Sequence, residues 1–280
     1  MKSYLYIPMP ECEMNFDTAS RPLVDPKRSR VLHISHRHTV AKTSYLAPPP
    51  MPKSQIPQSR NKRSTKPERK LHKLEALADK ANKLSLEELQ EIFDEYLPAP
   101  GTNDGTEQET KRTWSLLNGP SLRATPELKD KVWALFEDNM RDIYIAANDS
   151  DIPWDPPQKR KELQHKKSRF IIVQKDTALE AFCSFRFEVE EDSEGDMRFL
   201  VYIYEIQVAE EHRGAGLCRR IFTALEGMCA ELGVQVVMLT CFKCNTQALP
   251  VYAHLGFQEV EGGSETSQEF WKPIVHQCPA

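Results

Sequence analysis

The sequence predicts an α/β fold, a mixed sheet flanked by helices, on three observations. From residue 112 onward, segments of strand character alternate with amphipathic helices. Two strand candidates, Ala178 to Val189 and Phe199 to Val208, are long enough to form a hairpin. A glycine-bearing turn, Gly214-Ala-Gly216, then joins a strand to a helix.

Charge divides the chain before any motif does. Residues 1–70 carry a net +9 and the remainder −13, for −4 overall. An acidic body suits a cationic peptide better than a phosphate backbone, so no direct nucleic-acid contact is expected. No run of 18 apolar residues occurs, and no membrane partner is expected. Seven cysteines without an export signal read as reduced thiols of the cytosol or nucleus. Cys241 and Cys244 form a single C-x-x-C with no second pair, so no metal is expected.

Residues 1–66 read as a disordered basic leader, because Pro48, Pro49, Pro50, Pro52 and Pro57 interrupt helices and little apolar surface offsets ordering. Arg60, Lys62, Arg63, Lys66, Arg69 and Lys70 suit either a nuclear localisation signal or a solvated charge run. Residues 67–111 read as two helices and a linker. Leu71, Leu74, Leu77, Ala78 and Ala81 mark the first helix; the second follows a Ser85 cap with Glu88 at the capping-box position. Pro98 to Thr110 is rich in turn formers.

Residues 112–275 form the third region. Thr113 to Leu117 is a short strand, and Thr125-Pro126 caps and starts a helix to about Ala147. Arg169 to Gln174 precedes the hairpin, whose loop, Glu190 to Met197, is acidic. Gly216 to Leu232 is a helix with Leu217, Ile221, Leu225, Met228 and Leu232 as its buried stripe. Val234 to Thr240 is an apolar strand, Gln247 to Leu255 a short helix, and two strands close the chain.

The segment Tyr202-Ile-Tyr-Glu-Ile-Gln-Val208, followed by Ala-Glu-Glu-His-Arg-Gly-Ala-Gly216, carries the chemistry. In such a turn successive N–H groups face an anion, the helix N-terminus favours negative charge, and Arg213 adds a cation. With Val236 to Thr240, Asn245, Ala248, Tyr252 and Gly256-Phe257, the layout resembles the GNAT acetyltransferase superfamily. The resemblance implies the GNAT fold, a mostly antiparallel mixed sheet with a central V-shaped splay, and acetyl-CoA as co-substrate. The family's loop reads Arg/Gln-x-x-Gly-x-Gly/Ala; here Glu211 stands at the first position.

Within the superfamily, Asn139-Met-Arg-Asp-Ile-Tyr144, Phe185-Arg-Phe-Glu-Val-Glu190, Tyr202-Ile-Tyr-Glu205 and Val237-Met-Leu-Thr-Cys-Phe-Lys243 with Asn245 resemble the NatD family of histone N-alpha-acetyltransferases. That resemblance implies transfer to the N-terminal serine of histones four and two-A, which begin Ser-Gly-Arg-Gly, in nucleus and cytoplasm and without an auxiliary subunit. It makes Glu205 the first candidate for general base, Glu188 the second, with Tyr204 beside them. Ile206, Gln207 and Val208 would line the cofactor path, with the Val208 N–H as the oxyanion contact. His212, Arg213, Gly214, Ala215, Gly216 and Leu217 would hold the pyrophosphate, Asn245 would face the pantetheine arm, and Tyr252 would pack on CoA, form core or protonate the thiolate. Tyr144, Trp154, Glu188, Tyr202, Tyr204 and Thr240 would form the peptide pocket, closed by Phe270 or Trp271. Transfer to lysine or small amines, or a non-catalytic binding module, are the alternatives; Glu211 favours the last.

Overall fold

A computed structural model describes residues 66–97, 112–192 and 196–276. Residues 1–65 of the expected leader, the whole 98–111 linker and the tip of the acidic loop lie outside the described residues. Among the described residues, seven strands form one sheet in the order β1-β2-β3-β4-β5-β7-β6. They are β1 (Arg112–Asn118), β2 (Arg169–Lys175), β3 (Ala178–Glu191), β4 (Met197–Val208), β5 (Val236–Phe242), β6 (Gln258–Glu259) and β7 (Ser267–Pro273). Every neighbouring pair is antiparallel except β4 and β5. Glu190 and Glu191 extend β3 rather than beginning a loop, and β4 starts at Met197, so the expected acidic loop shortens.

Two apolar clusters cover the two faces. On one face lie α1 (Lys66–Lys83), α2 (Leu86–Glu95) and α6 (Leu217–Leu232). The capping box expected at Ser85 is present: its hydroxyl accepts from the Glu88 N–H, and the Glu88 carboxylate accepts from the Ser85 N–H. Thus started, α2 turns Leu89 and Phe93 inward, both with no exposure. Burial of each side chain contributes about 1.5–3 kcal/mol. Gly227 on α6 accommodates the Tyr96 ring, which a Cβ there would meet at 2.2 Å. Gln90 serves the edge strand β1: its amide donates to the Trp114 carbonyl and accepts from the Leu116 N–H at 2.6 Å.

The opposite face carries α3 (Gly119–Ala124), α4 (Pro126–Ala147) and α5 (Pro156–Leu163). Val132, Phe136 and Tyr144 repeat at helical spacing and bury one side of α4. Two readings are corrected here. Thr125 makes no side-chain cap for α4; its hydroxyl donates back to the Ser121 carbonyl, because α3 already occupies that turn. The segment before β2, unassigned in the sequence, contains α5, started by an Asp155 cap and Pro156. Helix α7 (Leu249–His254) follows β5. No helix among the described residues is long and apolar enough to cross a membrane.

Candidate active site

The site begins where the sheet parts. Strands β4 and β5 pair from Leu200–Val236 to Ile203–Leu239 and no farther, although both continue. At the same level β4 bulges: Ser184 of β3 lies opposite Glu205 and Phe185 opposite Ile203, so Tyr204 is the extra residue. Ordinary alternation would send adjacent side chains to opposite faces. The bulge instead resets the pleat, so Tyr202, Tyr204, Glu205 and Gln207 share the α4 face, while Ile203, Ile206 and Val208 pack toward α6.

Glu205 is only 6% exposed. Its Oε1 lies 2.5 Å from the Lys159 ammonium, and its Oε2 accepts from the Gln207 amide at 2.7 Å. Lys159 also meets Glu162 at 2.5 Å and stands over the Phe136 ring. Burial pushes the Glu205 carboxyl up, with Lys159 pulling the other way. Burial alone would lower Lys159; Glu205 and Glu162 more than reverse this and hold it an ammonium well beyond the ordinary lysine range. Burial likewise raises the Tyr144 phenol, which shares Lys159.

Sequence reasoning missed Lys159 and Asn139. Nothing in the polar run Gln158-Lys-Arg-Lys-Glu162 marks one lysine for burial, although Asp155-Pro156 was a readable helix start. Asn139 of α4 donates to the Gln207 side-chain oxygen at 3.0 Å and to the Val208 carbonyl at 3.1 Å. It accepts from Arg213 at 2.6 Å.

Aromatic groups adjoin the carboxylate. The Tyr202 and Tyr204 rings are 5.2 Å apart, and the Tyr202 hydroxyl bonds Thr240 at 2.6 Å. Tyr204 donates to Glu188 at 3.3 Å and carries the Arg186 guanidinium 4.1 Å from its ring centre. Burial, then the neighbouring Glu188, pushes the Glu190 carboxyl up to about 7. Trp154 stands 5.5 Å from Tyr144 and stacks on Phe136, so the two predicted pocket aromatics do come together. The loop carrying Trp154 is pinned by Asp149, which accepts from the N–H groups of Asp151 and Ile152 and from the Thr266 hydroxyl. Phe270 is a correction: at 2% exposure it lies on the α6 face against Tyr252, because β7 alternation turns its neighbour Trp271 the other way.

Across the sheet's parting, Gly214 and Gly216 adopt φ of 77° and 76°, a region costly for side chains, and Gly216 precedes α6 without a side-chain cap. The first N–H groups of α6 are therefore left for an anion. Arg213 and Ala215 flank these glycines. Four side chains are otherwise engaged than expected. Leu217 is buried at 1%, leaving only its backbone to the loop. Gln207 is turned to Asn139 and Glu205, leaving only its backbone to the cleft. His212 lies 3.5 Å from the buried Glu180, which also pairs with Arg112. Asn245 accepts from the Ala248 N–H at the entry to α7. Tyr252, 9% exposed, packs against Phe257 and Phe270 as a core tyrosine.

Residues 132–257 match the family model described as the Acetyltransferase (GNAT) family, a family that uses acetyl-CoA. The chain is similar in structure to the ribosomal-protein-S18-alanine N-acetyltransferase of Escherichia coli, at 16% identity and a TM-score of 0.41 over 60% of this chain and 96% of that one. It is also similar to Arabidopsis thaliana NAA60 in complex with a bisubstrate analogue (16% identity, TM-score 0.41, 59% of this chain and 99% of that one). Ard1 from Thermoplasma volcanium matches at 12% identity and a TM-score of 0.40, over 59% and 99% of the two chains. Likenesses at this level say nothing of substrate. Residues 132–257 are thus similar to the GNAT acetyltransferase family, and the described residues adopt the corresponding fold, a mixed, mostly antiparallel seven-stranded sheet flanked by helices.

Proposed function

We propose that the chain transfers acetyl from acetyl-CoA to the free N-terminal serine of histones four and two-A. The supporting observation is Glu205: a buried carboxylate on the β4 bulge, where the sheet parts, between fixed donors and beside Tyr202 and Tyr204. Acetyl-CoA, when bound, supplies a thioester-activated acyl group. Gly214, Gly216, Arg213 and the first turn of α6 fit its pyrophosphate, since their N–H groups and charge favour an anion.

The amine must arrive without its proton. An α-ammonium has a pKa of about 8, against about 10.4 for lysine, so a carboxylate raised by burial suffices to take the proton, directly or through a water. Lys159 and Gln207 each occupy one position on a Glu205 oxygen, and each oxygen retains a second lone pair for it. Tyr202, Tyr204, Thr240, Tyr144 and Trp154 suit a small serine followed by glycine. Glu188 and Glu190 provide negative charge for the arginine that follows. On this reading the protein works in nucleus and cytoplasm, without an auxiliary subunit.

The test is site mapping by mass spectrometry on full-length histone four after incubation with acetyl-CoA. Acetyl on the α-amine of the first serine alone is expected. Acetyl spread over lysine side chains would overturn the proposal.

A further inference from the structure

A directional chain of hydrogen bonds runs from the glycine loop to the buried carboxylate. At one end stands Arg213, which can only donate; at the other stands Glu205, which as a carboxylate can only accept. Between them lie two amides, each with one accepting oxygen and one donating nitrogen. Arg213 donates to the Asn139 oxygen at 2.6 Å, the Asn139 nitrogen to the Gln207 oxygen at 3.0 Å, and the Gln207 nitrogen to Glu205 at 2.7 Å. With both ends fixed in polarity, neither amide can be flipped without setting two acceptors or two donors face to face. Asn139 is the pivot, because its nitrogen also serves the Val208 carbonyl at 3.1 Å.

We propose that Asn139 is a positioning residue: it orients the Gln207 amide so that a donor, not an oxygen, faces Glu205, and thereby ties the carboxylate to the loop carrying Arg213. This rests on the reading of Glu205 as the base. The other titratable groups around Glu205 are Lys159 and Glu162 of α5, Tyr144 of α4, Cys183 of β3 and Tyr252 of α7. Lys159 and Gln207 favour its anionic form, whereas Glu162 opposes it.

The near-isosteric Asn139→Asp reverses the polarity at one point. Aspartate cannot donate to Gln207, so Gln207 turns its nitrogen toward residue 139 and its oxygen toward Glu205. Glu205 then loses a donor and faces a second acceptor, which makes protonation easier. A base must be deprotonated, so activity is then lost at a higher pH as pH falls.

The experiment is the pH profile of kcat for the full chain, with acetyl-CoA and a Ser-Gly-Arg-Gly-Lys peptide. Wild type is compared with Asn139→Asp, Asn139→Ala and Glu205→Gln, each checked by thermal melting. Asn139→Asp is expected to move the acid limb up by about one pH unit and to lower kcat about tenfold on that limb, with peptide KM within about twofold. Asn139→Ala, which frees Gln207 without reversing it, moves the limb the same way by less, and decides the matter should the aspartate variant not fold. A limb unmoved in these variants while Glu205→Gln has lost turnover overturns the role of Asn139 alone. Wild-type turnover in Glu205→Gln overturns this role together with the reading of Glu205 on which it rests.

Discussion

Replacing Lys159 by methionine removes the charge that stands over the Phe136 ring while keeping an unbranched side chain of similar length. The lysine side chain is 12% exposed and its partner Glu205 5%, so water screens little of their attraction. Breaking such a buried pair costs about 3–5 kcal/mol, because the remaining carboxylate is left uncompensated. For a domain of this size each kcal/mol lowers Tm by about 2–4 °C, which gives a fall of roughly 6–20 °C.

The sign of the pH dependence follows from the two partners. In the wild type the folded-state pKa of Lys159 is raised above its unfolded value. Its contribution is therefore fully present below about pH 10 and flat between about pH 5.5 and about pH 8. In the variant the Glu205 carboxyl rises further, so folding opposes its ionisation and stability falls as pH climbs toward the new folded pKa. Urea unfolding at about pH 5.5 and about pH 8 is expected to show the larger loss at the higher pH. A loss below about 1 kcal/mol at the higher pH, or an equal loss at both, would refute the reasoning.

Three further outcomes are expected. Gly216→Ala forces a side chain into positive φ at about 1–2 kcal/mol, and calorimetry should find acetyl-CoA binding weakened about tenfold, whereas unchanged affinity would remove that turn from the cofactor site. Glu190 gains its charge as pH rises through about 7, so peptide KM should fall across that range in the wild type and stay flat in Glu190→Gln; parallel curves would contradict it. Phe93→Ala empties a fully buried position between α2 and the sheet and should cost about 3–5 kcal/mol in chemical unfolding; a loss under 1 kcal/mol would mean that α2 is not part of the core.

What was legible in the sequence depended on whether the signal was local. Ser85 and Glu88 announced α2 because the capping box is complete within four residues. The β3–β4 hairpin announced itself by length and apolar content. The bulge at Tyr204 did not, since it is a property of two strands meeting out of step, yet it places Tyr204 and Glu205 on one face. Lys159 escaped notice for a similar reason: its burial is decided by Glu205 and Glu162, one of them 46 positions along the chain. Phe270 and Trp271 are both aromatic and adjacent, so choosing the residue that faces the cleft required the register of β7 against β5.

The most direct test of the central claim is transfer of labelled acetyl from acetyl-CoA to a Ser-Gly-Arg-Gly-Lys peptide, beside the same peptide with a blocked N-terminus. Transfer to the α-amine leaves label on the free peptide and none on the blocked one. Equal label on both would place the chemistry on the lysine side chain, and label on neither would contradict this substrate.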